Sequence, residues 1–310
     1  MLFKELKKEY LKKNITKANY IKKAYSKFHN ILISYSKILN LTTVEKITII
    51  DNELIFTIRE NGLLVKPILN DHRSAPFEIL NFGDYEKKEL NITKSLFKDG
   101  QTFLDIGSNI GWYSLNIATF YKNSEIYAFE PMLKPFEIMN ENVKLNNLSN
   151  IKTFNYGLSD CEQLETFYYY PEGTVNASLK NLQNKAKIKK QKIMVYTLDS
   201  IVRKNDLKVD FIKCDVEGAE IKVLKGGLET LKKYKPILFL EILRKWTKKF
   251  DYDSNDIIKI LEDLGYSCFV VRKNKLKKIN KISKNTIDTN FFFLNNIKHK
   301  ETIRKFSKNS

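Results

Sequence analysis

The sequence predicts an α/β fold: a parallel sheet with helices on both faces. Three observations carry that reading. Short apolar runs alternate with helical periodicities from residue 85 to residue 294, the pattern of βαβ units with right-handed crossovers. Phe103-Leu104-Asp105-Ile106-Gly107-Ser108-Asn109-Ile110-Gly111 reads as a strand that ends in a glycine turn and opens a helix. A second strand then ends in Ala128-Phe129-Glu130-Pro131. Open α/β sheets bind ligands at such carboxyl edges.

The elements follow in chain order. In residues 2–39, Leu2, Leu6 and Tyr10, then Leu11, Ile15 and Ala18, recur at helical spacing with lysines between them, a basic amphipathic pattern. From residue 47 the pattern turns to β, and Asn61-Gly62 between two apolar runs signals a hairpin. A helix is expected over 85–97, closed by Gly100, followed by a strand at 102–106, a helix at 110–121 and strands at 125–130 and 151–156. Two short strands near 165–170 and 192–197 precede a strand at 209–214, a helix at 219–233 and a strand at 237–242. A helix at 255–264 and strands at 267–272 and 290–294 complete the set. Residues 1–81 thus read as a helical and hairpin extension, 82–296 as the main domain and 297–310 as a basic tail.

A net charge of +18 looks at first like a nucleic-acid signal, but it is confined to the ends. Residues 1–40 carry +8 and residues 272–310 carry +10, so the body between them is electrically balanced. That distribution disfavours a nucleic-acid track across the body. It leaves the ends to contact an anionic membrane surface, to oligomerise, or to reflect codon bias. Cys161, Cys214 and Cys268 form no metal-thiolate spacing and no even disulfide framework. Neither a signal peptide nor an apolar run of membrane-spanning length is legible. The expected location is the cytoplasm, with a peripheral position at the inner face of the membrane for the basic ends.

The glycine turn discriminates among cofactors. A dinucleotide fingerprint needs G-x-G-x-x-G, but Asn109 takes the middle glycine's place. A ligand without phosphates that carries an ammonium group suits the extra carboxylate of Asp105, and S-adenosylmethionine (SAM) fits that description. Asp105 and Asn109 are expected to hold the ammonium and order the turn, although Asp105 could instead cap the following helix. Glu130 is expected to accept the two ribose hydroxyls, with Pro131 ending the strand. The exit Asn155 to Asp160, with Ser159, is expected beside the adenine.

On these residues the chain resembles the FkbM family of SAM-dependent methyltransferases. The resemblance rests on 103–111, A-F-E-P at 128–131, N-V-K-L-N at 142–146 and I-K-C-D-V-E-G-A-E at 212–220, with Asp84-Tyr85-Glu86 and Thr197-Leu198-Asp199. It implies a seven-stranded class I (Rossmann-like) sheet whose last strand is antiparallel. It also implies a cofactor site of Asp105, Gly107, Ser108, Asn109, Gly111, Glu130, Pro131, Tyr85 and Ser159.

Methyl transfer to a hydroxyl needs alignment, exclusion of water and a base. Lys213, Asp215 and Glu217 share one direction at the end of their strand, and are expected to carry the chemistry. Asp215 could alternatively cap the next helix. Glu241 adds a further carboxylate, and the three acids have the oxygen chemistry for magnesium. A metal is not favoured, and no metal ligand is assigned. His72, and Asn176 with Ser178, are further candidates for contact with the acceptor. The resemblance implies O-methylation of a sugar in a surface glycan, or of a polyketide-like metabolite. A nucleic-acid methyltransferase, or a non-catalytic membrane-associated protein, is the alternative.

Overall fold

The computed structural model describes residues 2–170, 173–182 and 188–307. Its N-terminal segment holds α1 (Phe3–Leu11), α2 (Lys17–Ala24) and α3 (Asn30–Leu39), the last two joined without a break by a π-helical turn at Tyr25–His29. Lys13, in the turn after α1, has positive φ, and Thr16 caps α2 by accepting from the Asn19 amide. Of the described residues through Leu39, only Leu6 and Ala24 are buried.

β1 (Val44–Ile50), β2 (Glu53–Ile58) and β3 (Leu64–Val65) form a small antiparallel sheet. Asn61-Gly62 turns β2 into β3, as the hairpin signal predicts, with Gly62 at φ +69°. Val44, Phe56 and Val65 bury in the same apolar core as one face of the main sheet. α4 (Ala75–Phe82) and α5 (Lys87–Leu96) follow. α5 starts two residues later than expected, because Glu86 is left-handed at φ +46° and Tyr85 stays outside the helix.

The chain then alternates through β4 (Thr102–Ile106), α6 (Trp112–Phe120), β5 (Glu125–Phe129), α7 (Leu133–Leu145) and β6 (Ile151–Phe154). An inserted stretch contributes β7 (Gly157–Ser159), β8 (Gln163–Tyr170), β9 (Gly173–Ser178) and β10 (Lys189–Thr197). These four form a separate sheet in the order β7-β10-β8-β9. After α8 (Leu198–Lys204) and β11 (Phe211–Cys214), the expected helix over 219–233 is two, α9 (Glu220–Lys225) and α10 (Leu228–Tyr234). Gly226 and Gly227 break it. A Cβ on Gly226 would meet the Ser159 carbonyl oxygen at 2.1 Å, so the backbones touch where the helix bends.

β12 (Ile237–Glu241), α11 (Arg244–Thr247), α12 (Ser254–Asp263), β13 (Tyr266–Arg272), β14 (Lys275–Ile279), β15 (Asn290–Asn295) and α13 (Lys300–Ser307) complete the chain. The main sheet runs β14-β13-β15-β12-β11-β4-β5-β6. β12, β11, β4, β5 and β6 are parallel, and β15 is antiparallel to both β12 and β13. The sheet therefore has eight strands, one more than expected. β14 folds back on β13 through Lys273 and Asn274, both at positive φ, and its lysines hid it because Leu276 is its one buried residue. Within the basic tail, Lys300–Ser307 form α13, with Ile303 and Phe306 packed on the core.

Side-chain alternation along the central strands splits the apolar interior into two layers. Phe103, Phe211 and Phe239 face one layer, while Leu104, Ile106, Ile212, Leu238 and Leu240 face the other. Between them, the carboxyl ends of β4, β5, β11 and β12 form one edge of the sheet.

Candidate active site

At that edge lies a cleft enclosing about 1000 Å³ of empty space, part of it open to solvent. Gly107, Ser108, Asn109, Glu130 and Pro131 from the first two strand turns line it. Lys213, Asp215 and Glu217 from the β11 turn line it opposite, with Tyr85 and Glu86 completing the rim.

The two turns pack backbone against backbone. Gly107 sits at φ +77°, and a Cβ there would lie 1.8 Å from the Asp215 carbonyl oxygen. The Gly107 and Ser108 amides both donate to the Phe129 carbonyl, at 2.9 and 3.0 Å, which ties the glycine turn to β5. Asn109 is left-handed at φ +49°, and its amide donates to Glu130 Oε2 at 2.8 Å. The Met132 amide donates to Glu130 Oε1, also at 2.8 Å. Burial pushes the Glu130 carboxyl up to about 7, and these two amide hydrogen bonds hold it from rising further. An ionised carboxylate accepts about four hydrogen bonds. Glu130, on the lining, therefore keeps acceptor capacity toward the cleft.

Asp105 stands one layer deeper than expected. It is fully buried, and its Oδ2 accepts from the Ser114 amide at 3.1 Å and the Ser114 hydroxyl at 2.6 Å, so it caps the first turn of α6. Strand alternation is the reason: Asp105 points to the α6 side, while the residues after Ile106 turn into the cleft. Its Oδ1 lies 3.7 Å from Lys213 Nζ. Gly111 is the left-handed residue before α6 and packs on Met139, whose sulfur accepts from Ser108 Oγ at 3.2 Å. Ser159 is buried with its hydroxyl on Asp160, and it is Gly157 and Leu158 that reach the lining.

Lys213 gathers the opposite wall. Its buried ammonium donates to the Gly107 carbonyl at 3.2 Å and to Asp215 Oδ2 at 3.3 Å, and it lies over the Tyr113 ring. Burial alone lowers the affinity of an ammonium for its proton, but Asp215, Asp105 and Glu86 outweigh it and raise the Lys213 pKa. Glu86 accepts from the Tyr113 hydroxyl at 2.8 Å, and burial raises its pKa, with Asp215 adding to the effect.

Asp215 caps no helix. Glu220 holds that loop, its Oε1 accepting from the Val216 and Gly218 amides at 3.1 and 3.0 Å. Glu217 is left-handed at φ +52°, and Ser178 Oγ donates to its carbonyl at 2.9 Å. Carboxylate oxygens of Asp215, Glu217 and Glu241 all lie within 4.8 Å of one another. Burial raises both Glu217 and Glu241, with the neighbouring carboxylates reinforcing the shift.

His72 is exposed and absent from the lining, while its neighbour Arg73 reaches the cleft. The Asn176 side chain lies outside the described residues. Sequence reasoning missed Arg73, Trp112 and Phe167. Trp112 stacks edge-on with Tyr85 at 5.8 Å, and Phe167 arrives from the inserted sheet. Nothing in the local sequence of Trp112 and Phe167 distinguishes them from core residues, and Arg73 reads as an ordinary exposed loop residue.

The strand order, the antiparallel β15 and the cleft at the β4–β5 edge define a class I SAM-dependent methyltransferase fold. The profile of the methyltransferase FkbM domain matches residues 105–268, over half of the chain, and the chain belongs to that family. It is 30% identical over 165 residues to methyltransferase 1 of Beauveria bassiana, covering 46% of this chain and 66% of that protein. It is 26% identical over 175 residues to the hexuronic acid methyltransferase AglP of Haloferax volcanii, covering 55% and 65%. The chain thus spans just under two thirds of the length of both relatives. The FkbM methyltransferase structure from Methylobacillus flagellatus superposes with a TM-score of 0.42 at 17% identity, covering 64% of this chain and 44% of that one.

Proposed function

We propose that the chain transfers a methyl group from SAM to a hydroxyl of a sugar in a glycan or of a polyketide-like metabolite. One observation carries the reading: the Asp215, Glu217 and Glu241 carboxylates meet within 4.8 Å of one another, and the first two line the same cleft as Glu130. When bound, SAM supplies an activated methyl group on a sulfonium.

The chain's residues supply the rest. Glu130 accepts the ribose hydroxyls through its spare lone pairs, and Gly107, bare of a side chain, lets the glycine turn close against the Asp215 backbone. Asp105 acts from below, fixing α6 and the Lys213 ammonium. Lys213 holds Asp215 in place, and Asp215 receives the proton of the acceptor hydroxyl. Tyr85, Trp112 and Phe167 exclude water from the cleft. Water exclusion and alignment are the principal contributions a protein makes to such a displacement.

The test is Asp215→Asn. Turnover should fall by on the order of 10² or more while affinity for S-adenosylhomocysteine (SAH) stays within a few-fold. Equal losses of binding and stability would assign Asp215 to the scaffold instead.

For the N-terminal arm the proposed partner is an anionic membrane surface. Ile31, Leu32 and Ile33 stand exposed on a segment that carries ten lysines, and such segments bind anionic lipid in a salt-sensitive way. Among the described residues no helix is long and apolar enough to cross a membrane. Equal vesicle binding with and without residues 1–40 would remove this role.

A further inference from the structure

We propose that Asp215, Glu217 and Glu241 form a binding site for one hard divalent cation, magnesium or manganese, at the acceptor end of the cleft. The proposal deepens the methyl-transfer reading by naming what holds the acceptor hydroxyl. The cation itself can be tested without assuming that reading.

Two independent observations point there. The first is geometry: three carboxylates from the β11 turn and the end of β12 bring one oxygen each within 4.8 Å of the others. The second is an unmet need: Glu217 is only 8% exposed, and its buried Oε2 completes no hydrogen bond, the Trp246 indole beside this carboxylate being left equally unsatisfied. Leaving a buried charged oxygen unpaired is costly, and a cation in the cluster removes that cost.

Charge leads to the same place. Glu86, Asp215, Glu217 and Glu241 crowd this end of the cleft, with Asp105 one layer below, and the cations beside them are Lys213 and Arg73. Lys213 is already engaged by Asp105, Asp215 and the Gly107 carbonyl.

The donor set fixes the class of ion. All three ligands are carboxylate oxygens, with no imidazole or thiolate, which suits magnesium or manganese and not zinc or copper. Three carboxylates leave coordination positions for water and for one or two acceptor oxygens, so vicinal hydroxyls of a sugar could chelate the ion. Coordination acidifies the acceptor hydroxyl. As its oxygen bonds to the methyl carbon, the methyl–sulfur bond of the sulfonium breaks with its electron pair left on sulfur, giving SAH, and the hydroxyl proton passes to a carboxylate oxygen not engaged by the ion.

The experiment titrates Mn2+ alone into the full chain by electron paramagnetic resonance, with Mg2+ as competitor, and measures SAH binding on the same samples. Wild type should show one saturable Mn2+ site displaced by Mg2+. Glu217→Gln and Glu241→Gln should each weaken it by about tenfold or more while keeping SAH affinity within a few-fold. Both substitutions keep side-chain shape and remove crowded charge, so metal-free melting temperatures should hold or rise. A wild-type protein that binds SAH but shows no Mn2+ site overturns the proposal, as do variants that bind Mn2+ like wild type. Loss of SAH binding in the wild type would instead count against the methyl-transfer reading, whatever Mn2+ does.

Discussion

Gly107 and Asp215 touch through their backbones: a Cβ on Gly107 would lie 1.8 Å from the Asp215 carbonyl oxygen. The cofactor turn and the chemical turn are thereby one packed unit, and Asp215 stands where the Gly107 loop sets it. Gly107→Ala combines a left-handed φ with an overlap against backbone, which cannot swing aside. It should destabilise the fold by more than about 3 kcal/mol and abolish SAH binding. Thermal unfolding with calorimetry checks both, and a stable, binding-competent alanine variant would refute the packing argument.

Lys213 is the counter-charge for a fully buried carboxylate. Lys213→Met leaves Asp105 without its cation and should cost about 3–5 kcal/mol, the scale for breaking a buried pair. Adding Asp105→Asn should recover part of that loss, because the uncompensated charge goes with it. Chemical denaturation of the two single variants and the double variant closes the cycle. Additive losses would mean that the two groups do not couple.

Much of this arrangement was legible in the sequence, and the missing parts share a physical cause. Strand–turn–helix order and the left-handed Gly107 and Gly111 follow from local rules of pattern; Lys213, Asp215 and Glu217 do all line the cleft, but β11 ends at Cys214 and Glu217 is left-handed, so the turn and not strand alternation sets the last two. The depth of Asp105 was harder to read: its position before the turn shows that it nears the cleft edge, and only strand register against α6 shows that it faces Ser114. Arg73 and Phe167 reach the cleft from a loop and an inserted sheet, so their placement depends on tertiary docking. β14 was hidden because its lysines face solvent on an edge strand, where apolar alternation has nothing to record.

Glu130 gives the account a pH signature. Burial raises its carboxyl from the ordinary 4.5 to about 7, so between those values the folded chain keeps a proton that the unfolded chain has released. Its contribution to stability therefore falls as pH rises through that window. Ribose recognition needs the ionised acceptor, so SAH affinity should rise by about tenfold from pH 6 to pH 8. Glu130→Gln should flatten that profile. A wild-type profile flat across this range would show that Glu130 is not the titrating acceptor.

The central claim is that the cleft between the Gly107 turn and Glu130 holds SAM, and calorimetric titration of the full chain with SAH at pH 8 tests it most directly. The account predicts one saturable site per chain, weakened by about 1–3 kcal/mol in Glu130→Gln, the scale for a lost hydrogen bond to a charged group. A folded wild-type protein that takes up no SAH, or a Glu130→Gln variant that binds it as tightly as wild type, would contradict the account.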